Sequence, residues 1–204
     1  MHTVLHPKTI FHSLYSQTDG YLLSHKGRKK LDYFYSGHTY GEITYDGFLK
    51  MLALTKPKQK EVFYDLGSGT GKAVILASIL GNFSKLTGVE IIEDLWQESN
   101  NILTHYQKKI IPSLLPHKKN QKIKFIKNDF NKVDFSDADL IFMNATFFHY
   151  EINQFLLRKL EKLKKGSRIL TNSRWLNSSL FSVVHIGPHS FTGGEEDVFL
   201  HHKK

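Results

Sequence analysis

The stretch Asp65-Leu66-Gly67-Ser68-Gly69-Thr70-Gly71 decides how this chain folds. It follows the apolar run Val62–Leu66 and leads into Lys72–Leu80, which is apolar at helical spacing. That order reads as a buried strand, a tight glycine turn and a helix. Working outward, further strands are expected at residues 86–90, 123–126, 140–144, 168–171, 181–186 and 198–201. Helices are expected at 93–109 and at 152–163, the second stopped by Lys164-Lys165-Gly166. Upstream, a helix from Gly41 shows Phe48, Leu49, Leu52 and Leu54 on an apolar face before Pro57 ends it. Such alternation predicts an α/β, Rossmann-like fold: a mostly parallel seven-stranded sheet with helices on both faces. The last two strands have no helix between them, so they form a hairpin and one strand is antiparallel. Residues 1–40 read as an N-terminal cap with a short helix at 9–16, and residues 41–204 as the main domain.

Three ligands compete for the turn. A P-loop requires Gly-x4-Gly-Lys followed by Ser or Thr. Here Leu66 stands where its first glycine belongs, and Ala73 where the hydroxyl belongs. A dinucleotide fingerprint requires Gly-x-Gly-x-x-Gly; Gly67 and Gly69 fit, but the third position is Lys72. Charge separates them further. A pyrophosphate sits at the helix N-terminus, where Asp65 would repel it. S-adenosylmethionine (SAM) has no phosphate and carries a positive sulfonium and ammonium, which an acid beside close-approaching glycines favours. Glu90 lies 25 positions after Asp65, where an acid takes ribose hydroxyls. That feature alone does not separate SAM from NAD. Asp129-Phe130 is placed to accept from the adenine amine and stack on its ring. Taken singly, the glycines serve as a tight turn, Glu90 as a helix cap and Asp129 as a turn residue. Their conjunction in strand–turn–helix order points to SAM, bound at Asp65, Gly67, Ser68, Gly69, Gly71, Glu90, Asp129 and Phe130.

Residues 64–72 with Gly88-Val89-Glu90 resemble the motifs of class I methyltransferases. Four further segments narrow the likeness: Tyr40-Gly41-Glu42, Asn128-Asp129-Phe130, Ile141-Phe142-Met143-Asn144-Ala145-Thr146-Phe147-Phe148 and Ser190-Phe191-Thr192-Gly193. They occur in the same order as in the non-SET histone-lysine methyltransferases, the disruptor-of-telomeric-silencing type. The likeness covers roughly residues 36–202. It implies a lysine N-methyltransferase that converts SAM to S-adenosylhomocysteine (SAH). By the same resemblance Tyr40 and Glu42 join the cofactor contacts. Asn144 meets the amino-acid end of SAM near the methyl, and with Tyr40 forms the catalytic pair. Ile43, Thr44, Phe147, Phe148 and Phe191 line the substrate channel. Two departures fall in that channel. The family usually has Thr directly after Tyr-Gly-Glu, where this chain has Ile43 and then Thr44. It has Trp where this chain has Phe191. The family's long basic nucleosome-binding extension is also missing, so a histone is not implied.

The 204 residues suit one domain with a substantial core. Cysteine is absent, which excludes disulfides and thiolate metal sites. The 12 histidines show no metal spacing, and no metal is expected. No apolar run approaches the roughly 18 residues of a membrane span, and residues 1–7 lack the pattern of a secretory signal. These features suggest the cytoplasm, or the nucleus or a host cell if the target is eukaryotic, and no membrane partner. Lys and Arg outnumber Asp and Glu by 28 to 19, a formal charge of +9 that attracts polyanions. The basic residues are dispersed, which weakens a nucleic-acid reading. The expected partner is a protein with a target lysine. RNA or a small molecule is the alternative acceptor, and a non-catalytic nucleotide-binding module the remaining class. Oligomeric state is not legible.

Overall fold

The structure is a computed structural model that describes residues 6–31, 40–144 and 150–204, the side chains of 150–153 excepted. Seven strands form one sheet in the order β3-β2-β1-β4-β5-β7-β6. They are β1 (Val62–Leu66), β2 (Lys85–Glu90), β3 (Lys122–Lys127), β4 (Leu140–Met143), β5 (Arg168–Asn172), β6 (Phe181–Phe191) and β7 (Gly194–Lys203). The pairs β1–β2, β1–β4, β2–β3 and β4–β5 are parallel, and β7 runs antiparallel to both β5 and β6. The sheet reverses strand order between β1 and β4, the point at which open α/β sheets bind ligands.

Side-chain alternation along the strands divides the core into two layers. Phe63, Leu86, Phe125, Leu140, Phe142 and Leu170 face one side, where α1 (Pro7–Tyr15), α3 (Tyr45–Leu54), α4 (Lys72–Leu80) and α5 (Glu93–His105) cover them. Tyr64, Leu66, Val89, Ile141, Met143 and Ile169 face the other, against Leu156 and Leu160 of α7 (Tyr150–Leu160). The central strands are buried on both faces, as a sheet covered on both sides requires. At the far end from the ligand edge, Arg168 ties β5 to its surroundings. It donates to the carbonyls of Thr55 and Lys56 at 2.6 and 3.0 Å and pairs with Glu61.

Several elements differ from the sequence expectation. A helix α2 (Gly20–Arg28) occupies the polar stretch after α1, capped by Asp19, whose carboxylate accepts from Leu22 N at 2.9 Å. Its Gly27 meets the start of α5 so closely that a Cβ there would lie 2.3 Å from Ile92. The helix expected from Gly41 begins at Tyr45, because the Thr44 hydroxyl caps it by accepting from Gly47 N at 3.0 Å. The long helix after β2 changes at Tyr106 into a π turn, Tyr106–Ile110. Strand β6 runs on to Phe191 through a bulge between His185 and Gly187, where Gly187 takes φ +84°. Pro188 is tolerated just beyond because β6 is an edge strand.

Candidate active site

The glycine turn places its backbone at the carboxyl ends of β1 and β4. Gly67, Gly69 and Gly71 adopt φ of +88°, +52° and +86°, a left-handed region that side chains disfavour. The amides of Gly67 and Ser68 both donate to Val89 O at 2.9 Å, which folds the turn over β2 and delivers Gly71 to the start of α4. A Cβ on Gly71 would strike the Phe125 ring at 2.4 Å. A Cβ on Gly67 would meet no heavy atom within 4 Å, so this glycine opens onto space.

That space is a cleft open to solvent. Tyr40, Gly41, Glu42, Ile43, Asp65, Gly67, Ser68, Gly69 and Asn144 of the sequence reading all line it, together with Thr70, Lys72, Ala73 and Phe142, which that reading did not assign. Glu42 joins the two sides. Its Oε1 accepts from Tyr40 OH at 2.8 Å and Thr70 Oγ1 at 2.9 Å, and its Oε2 pairs with Lys72 at 2.5 Å. Tyr40 lies over the turn, its hydroxyl accepting from Thr70 N at 3.3 Å. Burial, then the charge of Glu42, pushes the Tyr40 phenol well above its ordinary range. Lys72 was legible in the sequence as the residue that breaks the dinucleotide fingerprint.

The acids differ in how they are satisfied. Glu90 accepts from Gly69 N at 2.7 Å, Ile91 N at 2.9 Å and Ile92 N at 2.8 Å. Three of the roughly four lone-pair positions of a carboxylate are thereby filled. Burial raises its pKa and those three amides work against the rise. Asp65 is 2% exposed, and its Oδ1 has no hydrogen-bond partner among the described residues. Burial, and then the charge of Glu90, raises its pKa well above the carboxylate range. A buried acid without a partner costs free energy that a cationic ligand recovers. The residues therefore fit the ammonium of SAM, beside a turn with room at Gly67.

The remaining candidates lie around this centre. The Asp129 carboxylate accepts from Asn131 N at 2.8 Å and caps a single 3-10 turn, and Phe130 packs against the second core layer. Lys159 of α7 holds the same turn, donating to the carbonyls of Phe130, Asn131 and Val133. Ile43 forms an antiparallel bridge with Phe191, which is 4% exposed. The Thr44 hydroxyl donates to Ser190 O at 3.0 Å as well as capping α3. Phe147 and Phe148 lie outside the described residues. Trp175 is 60% exposed, its ring against that of Phe199.

The sequence model of the histone methylation protein DOT1 family matches residues 25–184, most of the chain. The chain belongs to this family. Across 124 residues it is 32% identical to a protein-lysine N-methyltransferase of Saccharolobus islandicus, covering 60% of this chain and 68% of that protein. It is 27% identical over 143 residues to the H3 lysine-79-specific histone-lysine N-methyltransferase of Caenorhabditis elegans, covering 67% of this chain but 15% of that one. Among solved structures, magnesium protoporphyrin IX methyltransferase from Synechocystis PCC 6803 with bound SAM aligns at TM-score 0.58 and 15% identity over 99% of both chains. TrmN from Thermus thermophilus aligns at 0.60 and 17% identity, over 77% of this chain and 48% of that one. These last two likenesses establish the fold. A DOT1-family member with this strand order is a class I SAM-dependent methyltransferase.

Proposed function

We propose that this enzyme methylates the ε-amine of a lysine in a protein substrate. The observation that carries the cofactor side is Asp65, a buried carboxylate with an oxygen left for a cation beside an open glycine. The lysine side is supported by the protein-lysine N-methyltransferase that shares 32% of the aligned residues. Bound here, SAM supplies an electrophilic methyl on a sulfonium. What the protein's own residues supply is position and exclusion of water. Tyr40, tied to Glu42 and Thr70, covers the turn. Ile43 and Phe142 give the cleft an apolar wall, and the bridge to Phe191 braces Ile43 from behind. An amine entering beside such a wall loses hydration, which favours the neutral form that can attack in line. Glu90 is the proposed ribose ligand, Asp129 and Phe130 the adenine contacts, and Asn144 and Tyr40 the catalytic pair. The proposed channel comprises Ile43, Thr44 and Phe191 together with Phe147 and Phe148.

The test is incubation of the purified enzyme with tritiated SAM and separate protein, RNA and metabolite fractions, followed by mass spectrometry of the labelled species. Label on protein lysine supports the proposal. Label confined to RNA or metabolites overturns the acceptor, and absence of label with every fraction overturns lysine methylation altogether.

A further inference from the structure

The turn proposed to meet adenine has little of its own to hold it in shape. Residues Phe130–Lys132 make one 3-10 turn, in which Lys132 N donates to Asp129 O at 2.9 Å and Val133 N to Phe130 O at 3.2 Å. Hydrogen bonds of this kind are poorer than those of an α-helix, and the last carbonyls of such a turn have no partner within it. The Asp129 carboxylate takes its direction from the turn, because Oδ1 accepts from Asn131 N at 2.8 Å. Whatever fixes the Phe130–Asn131 peptide therefore aims the acid.

Lys159 fixes it from another element. An ammonium carries three donors, and its Nζ lies 2.6 Å from Val133 O, 2.8 Å from Asn131 O and 3.2 Å from Phe130 O. Phe130 O and the Asn131 N–H belong to the same peptide unit. That unit has the Lys159 cation on its oxygen and the Asp129 carboxylate on its hydrogen. A planar peptide transmits the orientation of one side to the other, and a cation at the carbonyl strengthens the N–H as a donor. The lysine itself stands on a rigid base. Leu156 and Leu160 beside it on α7 are fully buried in the second core layer, and its Nζ lies 4.6 Å from the centre of the buried Phe135 ring. Burial lowers the Lys159 pKa, and the charges of Asp134 and then Asp129 oppose the fall.

We propose that Lys159 is a positioning residue for adenine: by gripping the Phe130–Asn131 peptide it aims the Asp129 carboxylate at the exocyclic amine, and so sets the preference of the site for an aminopurine over an oxopurine. This rests on the role proposed above for Asp129. A carboxylate only accepts hydrogen bonds. An oxopurine presents an acceptor where adenine presents a donor, so it is repelled in proportion to how well the acid is aimed.

The test compares, by calorimetry, binding of SAH with that of S-inosylhomocysteine, in which a carbonyl replaces the adenine amine. The parent protein should prefer SAH at least about tenfold, the worth of a hydrogen bond to a charged group. Lys159→Met keeps the length of the stem and removes the cation and its donors. It should cut that preference to about threefold or less, chiefly by weakening SAH. Lys159→Arg keeps the charge, but a planar fork does not converge on three carbonyls from one point. Its preference should fall between those of the parent and the Met variant, and it carries the test alone if the Met variant does not fold. A preference that stays at the parent level in every variant that folds, even with a lowered melting temperature, would make Lys159 structural and overturn the proposal. A parent protein that binds SAH without preferring it to the inosyl analogue would overturn the reading of Asp129 on which the proposal rests.

Discussion

Replacing Asp65 by Asn should make the free protein more stable and the cofactor site nearly useless. The side chain is 2% exposed with an oxygen that has no partner among the described residues, and burial and the Glu90 charge both disfavour its ionised form. An acid whose folded pKa lies above its unfolded value destabilises the fold at high pH, and that penalty fades as pH falls through the folded pKa and is gone below the unfolded one. Asn has nearly the same shape and no charge. Removing the buried, unpaired charge is worth about 1–3 kcal/mol. For a domain of this size that corresponds to a rise of roughly 2–12 °C in melting temperature, seen at pH 8.5 and shrinking as the pH is lowered. Loss of the buried anion opposite the ligand ammonium should cost at least about 2 kcal/mol, or roughly 30-fold in SAH affinity. In the parent protein the affinity should itself fall with falling pH, because a protonated Asp65 must release its proton before it accepts the cation. The variant should lose that dependence. Thermal denaturation of both proteins across pH, with and without SAH, measures all three quantities. An Asn variant that melts lower at pH 8.5, or that binds SAH like the parent, would refute the reasoning.

Two further outcomes follow from single side chains. His201 is fully buried, and that burial lowers its pKa to about 4 against the opposing bond of Nδ1 to Ile169 O, while Nε2 accepts from Leu176 N at 2.9 Å. The unfolded chain takes the proton near pH 6.5 and the native state does not, so stability falls as pH drops through this window, by about 2 kcal/mol at pH 5. A histidine resonance that is absent in His201→Gln and titrates above pH 6 in the parent would contradict this. Thr44→Ala removes the cap of α3, and should lower stability by about 1 kcal/mol in urea denaturation while leaving SAH affinity unchanged; a weakened affinity would place the hydroxyl in the cofactor site instead.

The parts of the molecule legible in sequence are those where pattern and burial coincide. Val62–Leu66 and Leu140–Met143 are apolar because both faces of the central strands are covered, and the glycine spacing marks the turn between β1 and α4. Helix α2 escaped because its packing uses the absence of side chains at Gly20 and Gly27, which reads in sequence as a loop. Its one visible signal was Asp19, a residue type that caps helices. In the site, Asp65 was legible from charge alone. The partnership of Glu42 with Lys72 was not, since 30 residues separate them and nothing local announces their meeting. The grip of Lys159 on the turn after β3 is equally non-local, since 28 residues separate it from Asn131.

The bulge in β6 reaches further than its place at the sheet edge suggests. Before it, His185 sits opposite Phe199 and stacks on that ring, on the face that also holds Phe181 and His201. After it, Gly187 sits opposite Val198, and the odd-numbered residues point to the other face, where Phe191 joins the layer containing Ile43 and Phe48. One inserted residue thus acts as a half-period phase shift in the strand's alternation. Closing the bulge with Ile186 taken into the ladder would slip the register by one residue and turn the Phe191 ring to the opposite side of the sheet. The cleft wall at Ile43 would then lose its brace through a slip that starts five residues away along the sheet edge.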